Sequence, residues 1–311
     1  MTERFLVTGA NGCIGAWVVK QLLEQGAEVT AFDLKADEHR HLLINNGVMP
    51  KANWAFGDLT VAEDVEKAMA GATHVVHLAA LQVPFCRANP ALGANVNVVG
   101  TVNIFEAAKK LGVNNISHAS SIAVFGLAAD YPDEKLAHDA PRLPTTLYGV
   151  YKTAAEDVAK VYWNEYGIRS VGLRPHTVFG PGRDQGMTSQ PSVAIEKAVL
   201  KEKFHVEYGG VLDFQYAPDV AAAFILAARA NLDGAPVVNI NGHTVGVSDF
   251  VEIVKTVSGF KDLSYGTTQL PVVYSADSQP WIDLASPPPL TKLEEAISNS
   301  IQIFSNSSST I

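Results

Sequence analysis

The sequence predicts an α/β fold: a doubly wound parallel sheet with a smaller C-terminal substrate-binding region. Three observations carry that expectation. Short β-branched runs alternate with helical patterns through the first half, a glycine-rich turn joins the first run to the first helix, and the rhythm breaks after Pro175 into Gly- and Pro-rich loops. Strands alternating with helices imply a parallel sheet covered on both faces.

In chain order, strands are expected at 4–8, 28–33, 53–56, 73–78, 115–120 and 169–173, and helices at 12–25, 62–70, 94–111 and 146–166. In the first helix Val18 with Leu22 and Val19 with Leu23 form an i,i+4 apolar stripe that suits packing on the sheet. Beyond Pro175, loops at 180–186, 209–210 and 287–289 separate smaller elements, among them a helix near 219–230. The expected organisation is a cofactor-binding unit over 1–175, a substrate-binding region over 176–304 interleaved with it, and a flexible tail over 305–311.

The 311 residues carry a net charge of -9 and are 47% hydrophobic. That charge argues against attraction to nucleic acid or an anionic membrane, so a bound phosphate must be held locally. No apolar run approaches the roughly 18 residues of a membrane span. Phe5-Leu6-Val7 is too short for a signal peptide's apolar region. Cys13 and Cys86 form no CxxC pair and imply no disulfide framework, so a reducing, cytoplasmic setting is expected.

The turn Gly9-Ala10-Asn11-Gly12-Cys13-Ile14-Gly15 lies between a strand and an amphipathic helix. Glycines there allow a tight turn and close backbone approach to a pyrophosphate at the helix N-terminus. Asp33, 18 residues after Gly15 at the end of the second strand, is placed to accept from adenosine ribose hydroxyls. A carboxylate repels a 2′-phosphate, which favours NAD over NADP, with the nearby Lys35 softening the preference. Asp58 and Leu59 follow the third strand and either receive the adenine ring or cap the helix that starts near Val61.

Two Tyr-x-x-x-Lys patterns compete for the chemistry. Tyr131 to Lys135 falls among Pro132, Pro141 and Pro144, which exclude a helix. Tyr148 and Lys152 open a helical pattern and share one face, and Ser121 ends an apolar run upstream. A phenol beside a cation makes a usable base. The histidines point elsewhere: His74 and His77 fall on opposite faces of a strand, and His39 and His41 lie in a charged surface stretch. No metal is expected.

Together these motifs resemble the extended short-chain dehydrogenase/reductase group, the NAD-dependent epimerase/dehydratase family, whose first unit is a Rossmann-type sheet. The match runs through 8–15, Asp33, Asp58, Leu78-Ala79-Ala80, Asn97-Val98-Val99-Gly100-Thr101, 120–126, Tyr148 to Lys152 and Leu173-Arg174-Pro175, and more loosely through 214–220 and 293–297. The resemblance implies that Tyr148 takes a proton from a substrate hydroxyl and Ser121 hydrogen-bonds the reacting oxygen, with Ser120 the fallback. Lys152 would hold the nicotinamide ribose and depress the tyrosine's pKa. Gly9, Asn11, Gly12, Cys13, Ile14, Gly15, Leu78, Ala79, Ala80 and Asn97 would line the cofactor, with Pro175 and His176 beside the nicotinamide.

Departures from the family pattern bear on the substrate. Sugar-nucleotide members place an asparagine where Thr177 stands and an arginine where Leu212 stands, so a diphosphate anchor is missing. The expected activity is therefore NAD-dependent oxidation of a secondary hydroxyl on a small sugar, sugar acid or related polyol, with Gln82, Ser121, His176, Thr177 and Arg183 as candidate substrate contacts. Arg183 either forks onto a carboxylate or pairs with Asp184. The alternative is an epimerase, which returns the hydride to the same carbon. A dehydratase fits less well, because Ile122 and Ala123 follow Ser121 where those relatives carry acids. A cofactor-sensing regulator fits poorly with a retained Tyr148 and Lys152. The helices at 94–111 and 146–166 are those through which relatives pair, so a homodimer is expected, with Val158 and Val161 left for an outer surface.

Overall fold

A computed structural model describes residues 2–132 and 135–308. Seven parallel strands form the central sheet in the order Val237–Asn239, Ser170–Arg174, Ile116–Ala119, His74–His77, Arg4–Thr8, Glu28–Asp33 and Asn53–Phe56. The chain starts in mid-sheet, winds outward to Asn53–Phe56, then crosses back to His74–His77. Its direction reverses beside Arg4–Thr8, and in such sheets ligands bind in the crevice beyond the carboxyl ends at that point.

Both faces of the sheet are covered, so its inner strands read as continuous apolar runs. Phe5, Leu6 and Val7 are all buried. On one face the helix Cys13–Glu24 buries Trp17, Val18, Val19 and Leu22 against Val220, Ala221, Phe224 and Ala228 of the helix Ala217–Arg229. The many alanines of the second helix let the two axes approach closely. On the other face Leu59, Met69, Ile104, Phe105, Ala159 and Tyr162 form a second core. A third core belongs to the C-terminal region, where Phe179, Phe214 and Phe250 cluster among Ile195, Leu212, Leu263 and Ile297. It underlies a three-stranded sheet of Thr177–Phe179, Val211–Tyr216 and His243–Gly246. The chain leaves this region to add Ala217–Arg229 and the edge strand Val237–Asn239 to the central sheet.

Several expectations need correction. The helix expected over 94–111 is three pieces: Pro90–Ala94, a π-helical turn at Asn95–Val99, and Gly100–Leu111. The tail expected from Ser305 is helical to Ser308, as the end of Leu293–Ser308, and residues 309–311 lie outside the described residues. His41 is no surface residue: it is buried in the helix His39–Ile44, bonds the Ala10 carbonyl at 3.1 Å and packs edge-on against Trp54. Val158 packs partly buried on the second core, while Val161 stays 47% exposed.

His118 has consequences for stability. It is 1% exposed, neither ring nitrogen has a hydrogen-bond partner, and burial brings its pKa down to about 4. Burial likewise holds His77, set between the hydroxyls of Thr8 and Thr101, well below the ordinary range. Both fold neutral, whereas in the unfolded chain they protonate near about 6.5. Between those values the unfolded chain binds more protons, so stability falls as pH drops through the window. The thermal midpoint is expected to fall between about pH 7 and pH 5, more shallowly in His118→Gln. An unchanged slope in that variant would contradict the reading.

Candidate active site

A groove of about 810 Å³ runs along the carboxyl ends of the central strands. Gly9, Asn11, Gly12, Cys13, Ile14, Gly15, Asp33, Asp58 and Leu59 line one part of it and Ser121, Tyr148, Lys152, Pro175, His176 and Gln82 another, with Leu78, Ala79 and Ala80 also in its wall. Arg183 lines it from the 180–186 loop, near enough for its charge to act on both Cys13 and Tyr148.

The glycine turn is built by close approach. Gly9 takes a φ of +69°, and a Cβ there would stand 2.7 Å from the Ala79 amide nitrogen. A Cβ on Gly15 would run into the Gly9 carbonyl oxygen, a backbone atom that cannot swing aside. Gly15→Ala is therefore expected to abolish measurable dinucleotide binding by calorimetry. The Cys13–Glu24 helix begins at this turn with no acid in its first turn, leaving its N-terminal amides for an anion. Asp33 spans two loops, accepting from the amides of Asn11 and Leu34 at 2.8 Å each. Asp58 is neither free nor a helix cap: Val61 caps Ala62–Met69, and Asp58 holds the amide and hydroxyl of Thr60 at 2.8 Å.

The catalytic candidates converge because a helix cap and one close glycine approach let them. Thr146 caps the helix Leu147–Tyr166 by accepting from the Gly149 amide at 3.1 Å. A side chain at Gly149 would strike the Ala123 carbonyl, so the helix start presses onto the turn that follows Ser121. The Ser121 hydroxyl accepts from the Ala123 amide at 3.1 Å and lies near enough to the Tyr148 phenol to favour its deprotonated form. Ser120 is turned away and hydrogen-bonds Glu156 instead. Lys152 donates to the Ala119 carbonyl at 2.6 Å and stands 5.7 Å from the centre of the Tyr148 ring. Burial drives the Lys152 pKa down to about 8.

The expected tuning of the phenol is not seen in this state. Burial pushes Tyr148 above the ordinary tyrosine range, and the opposing influences come from the Ser121 hydroxyl and the Arg183 charge. The lysine ammonium is engaged at the Ala119 carbonyl and faces the ring rather than the phenolic oxygen, so it does little for the phenolate.

Two predicted contacts do not line the groove. Asn97, 2% exposed in the π-helical turn, braces Leu81 from behind, accepting from its amide at 2.7 Å and donating to its carbonyl at 2.9 Å. Thr177 is buried in a strand and its hydroxyl meets His176 Nδ1 at 3.0 Å. His176 lines the groove with Nε2 against the Val273 carbonyl at 2.8 Å; burial lowers its pKa, which fits a neutral ring donating from Nε2. Arg183 does not pair with Asp184, whose carboxylate is taken by Arg40 at 2.6 Å and His39 at 2.8 Å. In the rejected Tyr131 pattern, the phenol accepts from the Gly126 amide and donates to the Pro141 carbonyl; Lys135 is exposed, and Asp133 and Glu134 lie outside the described residues. Among the described residues no group of three or more His, Cys, Asp or Glu is arranged around a metal.

Sequence reasoning missed Arg40 and Glu156. Arg40 joins the glycine turn to the 180–186 loop, donating to Asn11 and Gly182 carbonyls at 2.8 and 3.0 Å; no local pattern marks it. Glu156 continues the Tyr148, Lys152 spacing by one more helical turn, a signal that was available.

The model of the NAD dependent epimerase/dehydratase family matches residues 5–241. The chain belongs to that family. Among its relatives, UDP-glucose 4-epimerase of Mycolicibacterium smegmatis is 32% identical over 237 residues, covering 72% of each chain. Sterol-4-alpha-carboxylate 3-dehydrogenase, decarboxylating, of Saccharomyces cerevisiae is 29% identical over 262 residues, covering 79% of this chain and 71% of the relative. The solved structure of Thermus thermophilus UDP-glucose 4-epimerase complexed with NAD superposes with a TM-score of 0.81 at 27% identity, covering 97% and 98% of the two chains. Like other members of this NAD-dependent family, the protein is an enzyme of the extended short-chain dehydrogenase type with NAD as its cofactor. Among the described residues no helix is long and apolar enough to cross a membrane.

Proposed function

We propose that the protein oxidises a secondary hydroxyl of a small sugar, sugar acid or related polyol, with Tyr148 as the base. The observation that carries this reading is one groove lined both by a glycine turn with Asp33 and by Ser121, Tyr148 and Lys152. Bound NAD supplies the hydride acceptor. Cys13 and Ile14 would hold its pyrophosphate through backbone amides, while the Gly12 amide closes the turn onto the Gly9 carbonyl at 2.9 Å, and Asp33 would hold its adenosine ribose. Tyr148 then receives the hydroxyl proton, and Ser121 donates to the oxygen as charge develops on it. Lys152, with a depressed pKa of about 8, has ammonium donors to turn from the Ala119 carbonyl to a ribose hydroxyl.

The substrate class is supported by what the C-terminal region buries. Thr177 and Leu212, at the places of the diphosphate anchors, are 1% and 0% exposed, and Leu212 sits in an apolar core with Tyr208 and Phe214. Neither side chain lines the groove. An epimerase remains the second reading, favoured by relatives named as UDP-glucose 4-epimerases. A panel of aldoses, sugar acids and nucleotide sugars separates the two. Stoichiometric NADH from a small sugar or sugar acid is expected; an interconverted nucleotide sugar with no net NADH would establish the epimerase, and no reaction with any hydroxyl substrate would sink both.

Asp33 is expected to set the cofactor choice: Asp33→Ser should lower the kcat/KM preference for NAD over NADP by at least about tenfold, since the carboxylate's repulsion of a 2′-phosphate is removed. We further propose a homodimer built on Gly100–Leu111 and Leu147–Tyr166, where Leu111, Val150, Val161 and Tyr166 are exposed. Light scattering would report its mass. A reducing cytoplasm is the proposed setting, in keeping with two free cysteines.

A further inference from the structure

The geometry points to Arg183 as the cation that receives the dinucleotide's pyrophosphate, carried over the glycine turn by the 180–186 loop of the C-terminal region. This inference rests on the dinucleotide reading of the groove and moves Arg183 from the substrate to the cofactor.

The loop is fastened directly above the anion end of the Cys13–Glu24 helix. Trp17, one turn into that helix, donates to the Pro181 carbonyl at 3.0 Å. Arg40 bridges the loop and the turn through the Gly182 and Asn11 carbonyls, and it holds Asp184 at 2.6 Å. Arg40 is thereby occupied on all three guanidinium nitrogens. Asp184, the carboxylate next in sequence to Arg183, is drawn away toward Arg40 and His39. Gly180, Gly182 and Gly186 all take positive φ, from +88° to +121°, which lets the loop bend back on itself with Arg183 on its groove side.

Arg183 is left with unspent donors. Its Nε is buried without a partner, and its one hydrogen bond is a long one from Nη2 to the Thr188 hydroxyl at 3.3 Å. A Cβ on Gly186 would stand 3.1 Å from Nη2 and collide with Gln82 Oε1, so the fork and the amide occupy one corner of the groove. The charge is felt at two places in the groove: burial pushes the Cys13 thiol up to about 11 against the Arg183 field, and the same field opposes the upward push of burial on Tyr148. A groove-lining cation with guanidinium donors to spare, close enough to act on Cys13 at the start of a helix, together with that helix's N-terminal amides, makes a two-sided receptor for a phosphate.

Calorimetry with ADP-ribose and with adenosine tests the assignment on the wild-type chain, Arg183→Met and Arg183→Lys. Arg183→Met should weaken ADP-ribose roughly 10- to 100-fold, the scale of one charge-assisted hydrogen-bonding group, and leave adenosine unchanged. Arg183→Lys, keeping the charge without the fork, should recover part of the loss, and added salt should weaken the wild type more than the Met variant. ADP-ribose binding unaltered in Arg183→Met overturns the assignment, above all if an acidic sugar then binds less well. A parallel loss of ADP-ribose and adenosine overturns it too, since Arg183 would then only shape the groove. Failure of the wild type to bind ADP-ribose is a separate outcome that removes the dinucleotide reading itself.

Discussion

Tyr148→Phe should lower kcat by about 10²- to 10⁴-fold, the usual worth of a positioned general base, while leaving NAD affinity within about twofold. The separation follows from the site. The Ser121 hydroxyl acts on the phenolic oxygen, and the ring that Phe retains is what Lys152 stands over, 5.7 Å from its centre. Burial raises the phenol's pKa in the free enzyme, so the active, deprotonated fraction grows with pH. Oxidation is accordingly expected to speed up as pH rises from neutral toward alkaline, and the residual activity of Tyr148→Phe should lose that dependence. A pH-rate profile of both proteins checks it; a parallel rise in the variant would assign the titration to another group.

Glu156→Ala should cost about 3–5 kcal/mol of stability, the range for removing one partner of a buried ion pair. Glu156 is 3% exposed and receives Arg174 Nε and Nη2 at 2.7 Å each, Arg142 Nη1 at 3.1 Å and the Ser120 hydroxyl. Burial works to raise its pKa, but the Arg174 fork, Ser120 and Arg142 together outweigh it and hold it below the ordinary value. Its contribution is therefore present above the unfolded carboxylate pKa and lost as pH falls through the lower folded one. Truncation strands the Arg174 guanidinium, which is 7% exposed and lies 4.9 Å from the Phe125 ring. The same carboxylate ties three parts of the site together: the helix of Lys152, the turn of Ser121, and the strand leading to Pro175 and His176. Thermal unfolding should fall sharply in Glu156→Ala and less in Glu156→Gln, which keeps acceptor capacity. Equal melting of Glu156→Ala and the parent would show the network to be incidental.

What could be read ahead of the structure was whatever rests on short-range physics. The strands Arg4–Thr8, Glu28–Asp33 and Asn53–Phe56 lie at the expected boundaries because each holds a short apolar or β-branched stretch flanked by polar residues or turns. The glycine turn was legible because only glycine tolerates the Gly9 and Gly15 approaches, and Tyr148 with Lys152 because an i,i+4 pair shares a helix face. What escaped depends on distant partners. Asn97 reads as a cofactor contact by position, yet the wider π-helical turn carries it behind Leu81. Arg40 and His41 lie in a charged-looking segment, and only the fold brings them under the glycine turn. The three-residue strands Phe204–Val206 and Leu263–Tyr265 are too short for periodicity to mark, and they exist because they pair with each other.

A single-turnover experiment reaches the core of this account most directly: NAD-loaded enzyme mixed with a substrate deuterated at the carbinol carbon. NADH absorbance should appear within one turnover, more slowly than with the protiated compound, and the label should be found on the reduced nicotinamide, with Tyr148→Phe forming the same labelled product about 10²- to 10⁴-fold more slowly. Turnover of substrate with no NADH at any stage, or NADH free of deuterium, would contradict it.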